Sequence, residues 1–405
     1  MLLHRILTLG LILGAPCLSA ATLPPVEPMP TLDAAVLAPA ALLNGAGYTV
    51  DPTAPVVGYM GQFTLRASAG TFNANGTEML AIRVGELAAI AQLSQMSQTG
   101  VFADALAASA AKTGAAIGQA VLNPVQTIVG IPDGIGRFFQ SAATTISRAT
   151  EPAANSNSSQ SAGSEAADLI GVNRAKRRIA KQVGADPYTT NPVLAKQLDD
   201  LARAATAGGV SLDVALAAAT AGVATAISAT ATVSNLVWDK SPEDIRSINE
   251  GKLAAMGVGA DTVRAFVTNR WLTPPLSVPF VEHLGQIPAK GRIAMVALAS
   301  TVASEGEARF VLNAVSMARQ ISTERDPVVA LDLVGRILVV RTHAGRTLVP
   351  APVDYVVWTE PVKAFAQRKM AKGSGRDILV TGIASARARE GLQATGWAVE
   401  EHSKR

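Results

Sequence analysis

An apolar run over residues 6–13 follows the single positive charge of Arg5 and precedes the small residues Ser19, Ala20 and Ala21. A run of that length is too short to cross a bilayer as a helix, so the pattern predicts a signal peptide cleaved near Ala20 or Ala21. Residues 23–55 carry prolines between apolar patches and predict an extended segment that lies across another part of the molecule or leads to the membrane side. Residues 56–84 predict short strands separated by turns at Ala69-Gly70 and Asn75-Gly76.

From Gly85 or Glu86 the positions Leu87, Ile90 or Ala91, and Ser94, with Leu93 beside them, take up helical spacing, and a second helix with a small-residue surface is expected over residues 101–122. In residues 123–140, Asn123 and Pro124 open a helix that Pro132 and glycines 130, 134 and 136 interrupt. There Ile131, Ile135, Phe138 and Phe139 form an apolar surface, read either as an internal docking face or as a membrane-surface contact. Residues 151–165 hold no large apolar side chain and read as a flexible linker.

Two helices around a tight connection follow, the second opened by Asn191 and Pro192. Residues 214–238 are uncharged throughout but rich in alanine and threonine, which leaves buried helices and membrane insertion as competing readings. Ser241, Pro242 and Asp244 have the spacing of a capped helix start. Further helices are expected over residues 261–267, 279–284, 292–300 and 305–321, with an extended connection at the proline cluster 273–279. From Pro327 two strands meet at a turn over residues 343–346, and the chain then alternates helix, strand, helix and strand.

These elements predict an α+β fold, predominantly helical, with an N-terminal hairpin and a small C-terminal mixed α/β segment. The expected divisions are a signal peptide (1–21), a proline-rich extended segment (22–55), a hairpin with helices (56–150), the linker (151–165), a helical domain (166–325) and a mixed domain (326–405).

Composition narrows the chemistry. Cys17 is the single cysteine, and cleavage after Ala21 removes it, leaving no disulfide, thiolate metal site or cysteine nucleophile. Aromatic residues make up 4% of the chain and charged residues 16%. Net charge is slightly positive, with acidic residues in excess before Asp168 and basic residues in excess after it. A nucleic-acid partner would call for a denser basic footprint interleaved with aromatics, so none is expected.

The candidate binding residues are Arg174, Arg177, Arg178 and Lys181, whose spacing places four cations on one helix face, together with Ile131, Ile135, Phe138 and Phe139. Expected partners are an envelope protein, an anionic lipid surface or an acidic polymer. His283, His343 and His402 share no metal-ligand spacing, no GxSxG elbow or phosphate-binding loop is present, and no catalytic residue, metal or cofactor is assigned. The expected function is therefore a noncatalytic cell-envelope interaction or structural protein at the periplasmic or extracellular face, possible peripheral membrane association included. The alternatives are a metal-independent envelope hydrolase acting on a polymer, which calls for a concave pocket with paired acids, and a membrane-active protein using residues 214–238.

Overall fold

The structure is a computed structural model, and it describes residues 23–97, Ile135, Phe138, and residues 164–207, 235–369 and 373–404. It is an α+β fold with two hydrophobic cores, one around an N-terminal antiparallel sheet and one around a C-terminal mixed sheet.

In the first unit β1 (Thr31–Asp33), β2 (Asn44–Gly45), β3 (Tyr48–Val50), β4 (Thr53–Val57), β5 (Met60–Ala67) and β6 (Gly70–Asn75) form one sheet around β5. Short helices α1 (Ala34–Leu37) and α2 (Ala40–Leu43) sit between β1 and β2, so residues 23–55 are extended only in part. Gly61, Phe63 and Leu65 alternate inward along β5, the period of two that lets one sheet face cover a core.

Helix α3 (Thr77–Ser97) corrects the strand expected up to residue 84: it begins well before Gly85. Gly76, at φ +94°, turns the chain out of β6, and the buried Asp354 carboxylate accepts hydrogen bonds from the backbone N–H groups of Gly61 and Thr77, both at 3.0 Å. That capping satisfies donors which an uncapped helix start would leave exposed. Helix α4 (Ser164–Gln182) packs on α5 (Pro192–Ala207), which packs in turn on α3, and Asn191 Oδ1 caps α5 by accepting from Val193 N and Leu194 N.

The second unit opens with α6 (Asn235–Asp239), α7 (Pro242–Ala255) and α8 (Ala260–Thr268). Ser241 and Asp244 close a reciprocal capping box at the start of α7. Helix α9 (Pro274–Gly285) corrects the extended connection expected at 273–279. Pro274 and Pro275 occupy its first turn, where a missing N–H costs nothing, and burial of Leu276, Val278, Phe280 and Val281 favours the helix. Next come α10 (Arg292–Ala299) and α11 (Glu305–Gln320), and a π-helical turn, Ile321–Arg325, ends the helical run.

Strands β7 (Val328–Val334), β8 (Ile337–Thr342) and β9 (Arg346–Ala351) are antiparallel, one strand more than expected. The parallel strands β11 (Gly375–Val380) and β13 (Ala398–Glu400) extend this sheet beyond β9. Helices α12 (Glu360–Ala366) and α13 (Ala386–Ala394) supply the crossovers that parallel pairing requires. A separate pair joins β10 (Tyr355–Val356) to β12 (Ile383–Ala384). The early and late strands thus belong to different sheets.

Contacts other than sheet pairing join the units. Tyr59 O accepts from Asp354 N and Tyr355 N, and the segment 23–30 crosses Trp358, whose Nε1 donates to Pro24 O at 3.0 Å. Among the described residues no helix is long and apolar enough to cross a membrane. Of the uncharged run 214–238, only residues 235–238, at the start of α6, are described.

Candidate functional site

Where α3, the α4–α5 connection and α11 meet, one hydrogen-bonded network of charged side chains is drawn together. Arg83 and Glu86, both 7% exposed, lie three residues apart on α3 and pair at 2.8 Å. Glu86 also accepts from Asn191 Nδ2 at 2.9 Å and from the Thr189 hydroxyl. The second Arg83 nitrogen donates to Thr190 Oγ1 at 2.5 Å, and Thr190 donates in turn to Glu305 Oε2 at 2.6 Å. Arg309 grips Glu305 Oε1 through Nε and Nη2, at 2.9 and 2.7 Å, while its third nitrogen reaches Glu78. A buried network satisfied in this way holds its members in fixed rotamers.

Its outer end lines a cleft of about 280 Å³ walled by Asp186, Tyr188, Thr190, Arg270, Trp271, Thr273, Leu276, Glu305 and Arg309. Asp186 Oδ1 accepts from Tyr188 N at 2.8 Å, an Asx turn that sets the shape of the connection. Burial pushes the Asp186 carboxyl up to about 6, against the opposing pull of the Tyr188 N–H and Arg309, with Glu86 and Glu305 adding to the rise. Burial also acts on Glu305, but Arg309, Thr190 and Arg83 outweigh it and hold that carboxyl below its ordinary value. The cleft therefore contains two carboxyls whose surroundings drive them apart. At its mouth the exposed Arg270 guanidinium stands 4.5 Å from the centroid of the Trp271 ring.

The basic stripe of α4 lies on the other side of the same connection, at a second cleft of about 380 Å³ lined by Arg174, Arg177, Arg178, Trp238, Asp239, Ser241 and Asp244. Arg174 and Arg178 are exposed, but Arg177 is buried and Lys181 pairs with Asp239 at 2.6 Å. Lys181 and Arg177 thus face the acidic stretch around the start of α7.

Ile135 and Phe138 are 1% and 0% exposed in the C-terminal core, where Phe138 meets Phe310 edge-on at 5.1 Å and lies under the Arg336 guanidinium. As a surface contact they are corrected, because that packing covers both side chains; Ile131 and Phe139 lie outside the described residues. The six described candidates therefore do not form one site.

Among the histidines, His283 is half-buried, its pKa lowered by burial and by Arg319, and its neighbour Glu282 pairs with Lys252 rather than with it. His343 is exposed in the β8–β9 turn, and His402 is exposed at φ +55°. No group of three or more His, Cys, Asp or Glu side chains suited to a metal ion occurs among the described residues.

Sequence reasoning missed Arg83, Glu86, Asp186, Tyr188, Thr190, Glu305 and Arg309. A signal for two pairs was present. Arg83 and Glu86 lie in the middle of a helix whose one other charged residue is Glu78, and their i,i+3 spacing lets them pair, while Glu305 and Arg309 have the i,i+4 spacing of a helix ion pair. Asp186 and Tyr188 offered no such signal. No family model matches this chain, and no curated protein or solved structure is significantly similar to it.

Proposed function

We propose that this chain is an exported, noncatalytic cell-envelope protein that docks onto another envelope component, and that the clefts lined by Trp271 and by Trp238 are its contact region. The observation that supports this reading is how the charges around the first cleft are spent. Glu305 is held by Arg309 and Thr190, and Glu86 behind it by Arg83, Asn191 and Thr189, so the charged wall of the cleft is held in a preformed arrangement. Preorganised groups of this kind favour recognition because little ordering remains to be done on binding. Export rests on the leader-like residues 1–21, and Arg174 is exposed on the basic helix, where an anionic lipid surface, an acidic polymer or a protein would meet it.

A second reading has one observation in its favour. Asp186 and Glu305 are paired acids in a concave pocket, with Asp186 shifted toward the protonated form and Glu305 toward the ionised one, the division of roles an acid–base hydrolase acting on a polymer needs. Release of soluble fragments from isolated envelope polymer by the purified chain separates this reading from docking.

Envelope fractionation with successive high-salt and alkaline carbonate extraction, together with mass measurement of the N-terminus, tests the proposal. The expected result is a mature chain starting near residue 21 or 22, recovered with the envelope and released by salt. Recovery of an uncleaved chain entirely in the cytoplasmic fraction overturns it.

A further inference from the structure

The chain has four tryptophans. Trp358 and Trp397 are 0% and 1% exposed and belong to the C-terminal core. The other two, Trp238 and Trp271, are partly exposed, and each lines one of the two clefts. Tyr188 stands between them: it lines the Trp271 cleft, and Arg177 of the Trp238 cleft lies beside it. Trp238 is tied to the connection that carries Tyr188, because its Nε1 donates to Ala185 O at 3.0 Å. In a chain so poor in aromatics, the core accounts for two tryptophans and leaves these two at the cleft walls.

From this arrangement we propose that Trp238, Tyr188 and Trp271 form an aromatic belt that binds an extended glycan strand. The inference rests on the reading that the chain docks onto envelope material, and it names the chemical class of that material. Sugar rings offer apolar C–H faces that lie against aromatic rings, and hydroxyls that pair at once with carboxylates and guanidinium groups. Amphipathic aromatic side chains with an apolar face and a fixed polar end suit such a surface. Asp186 and Arg270 supply an acceptor and a donor beside Trp271, while Arg174 supplies donors beside Trp238. A strongly anionic polymer or lipid surface fits the Trp271 cleft less well, because its lining is balanced in charge, Asp186 and Glu305 against Arg270 and Arg309. The size of the first cleft, about 280 Å³, suits one ring-sized unit of a strand rather than a folded partner.

Because Trp358 and Trp397 are sealed in the core, intrinsic tryptophan emission reports on the belt. The test is to titrate the full mature chain with a β-1,4-linked N-acetylglucosamine pentamer, an α-1,4-linked glucose pentamer and a synthetic proline-rich peptide. The expected result is a saturable emission change with at least one pentasaccharide and none with the peptide. Trp271→Ala and Trp238→Ala are each expected to weaken that binding about tenfold, which corresponds to about 1.4 kcal/mol. Arg270→Ala, a change at an exposed position that leaves the core untouched, is expected to weaken binding by roughly threefold to tenfold, so a folding defect in a tryptophan variant does not leave the idea without a test. No response to either sugar at millimolar concentration overturns the glycan assignment, as does equal binding by the native chain and all three variants. Saturation by the peptide alone also overturns it while leaving envelope docking intact, whereas failure of the docking reading shows separately, in the fractionation.

Discussion

At neutral pH Asp186 is ionised in a place that opposes ionisation, since burial has raised its carboxyl from 3.8 to about 6. Between those two values the unfolded chain gives up this proton before the folded chain does, so stability falls as pH rises through the window and the full cost is present above about pH 6. Asp186→Asn keeps an acceptor for the Tyr188 N–H and removes the charge. The variant is expected to be more stable than the native chain by about 1–3 kcal/mol at pH 8, and equal to it below the lower end of the window. Urea unfolding at both pH values checks this, and a variant that is less stable at pH 8 contradicts it. Proteins retain such costly groups where function needs them. At this scale the ion pairs were legible and Asp186 was not: Glu305 and Arg309 sit one helical turn apart, but the residues that bury Asp186 come from far along the chain.

Among the elements, α3 shows how a distant residue sets where a helix begins. Asp354 accepts from Gly61 N and Thr77 N across sequence separations of 293 and 277 residues. Asp354→Ala leaves these donors without their acceptor in the interior and is expected to cost about 2–4 kcal/mol. Hydrogen exchange should show lost protection confined first to the opening turn of α3, and an unfolding midpoint equal to that of the native chain would sink the assignment. Helix α7 is the contrasting case. Its cap, Ser241 with Asp244, lies wholly within the local sequence, and the expected helix start matches the observed one. Strand β7 was missed, and it gains its place from pairing with β8 over residues 328–342.

For the whole molecule, the segment 23–30 acts as a strap over the C-terminal layer. Glu27 N donates to Trp358 O, Trp358 N donates to Glu27 Oε1 at 2.9 Å, and the Ser385 hydroxyl donates to the same oxygen while capping α13. Leu23 packs on the core and Pro30 O accepts from Val56 N, so the strap touches both units. Deleting residues 22–30 uncovers the Trp358 ring and leaves several backbone and indole groups without partners. The expected outcome is a loss of about 3–5 kcal/mol in unfolding free energy and a red shift in tryptophan emission. An unchanged midpoint together with unchanged emission would show that the strap contributes no stability.

Local pattern was enough to specify the α+β class, the paired helices around Asn191-Pro192, the capped start of α7 and the alternating end of the chain. Each of these depends on apolar periodicity or on a cap within a few residues of the element it serves. Tertiary structure decided the start of α3, the helix made from the 273–279 proline cluster, the separation of the two sheets and the membership of the clefts. In those cases the deciding partner is remote: Asp354 for α3, core burial for α9, and α3, the α4–α5 connection and α11 together for the charged network. Local spacing records which side chains share a helix face, but which faces then meet, and so which charges lose their water and must find each other, is settled only when the elements pack.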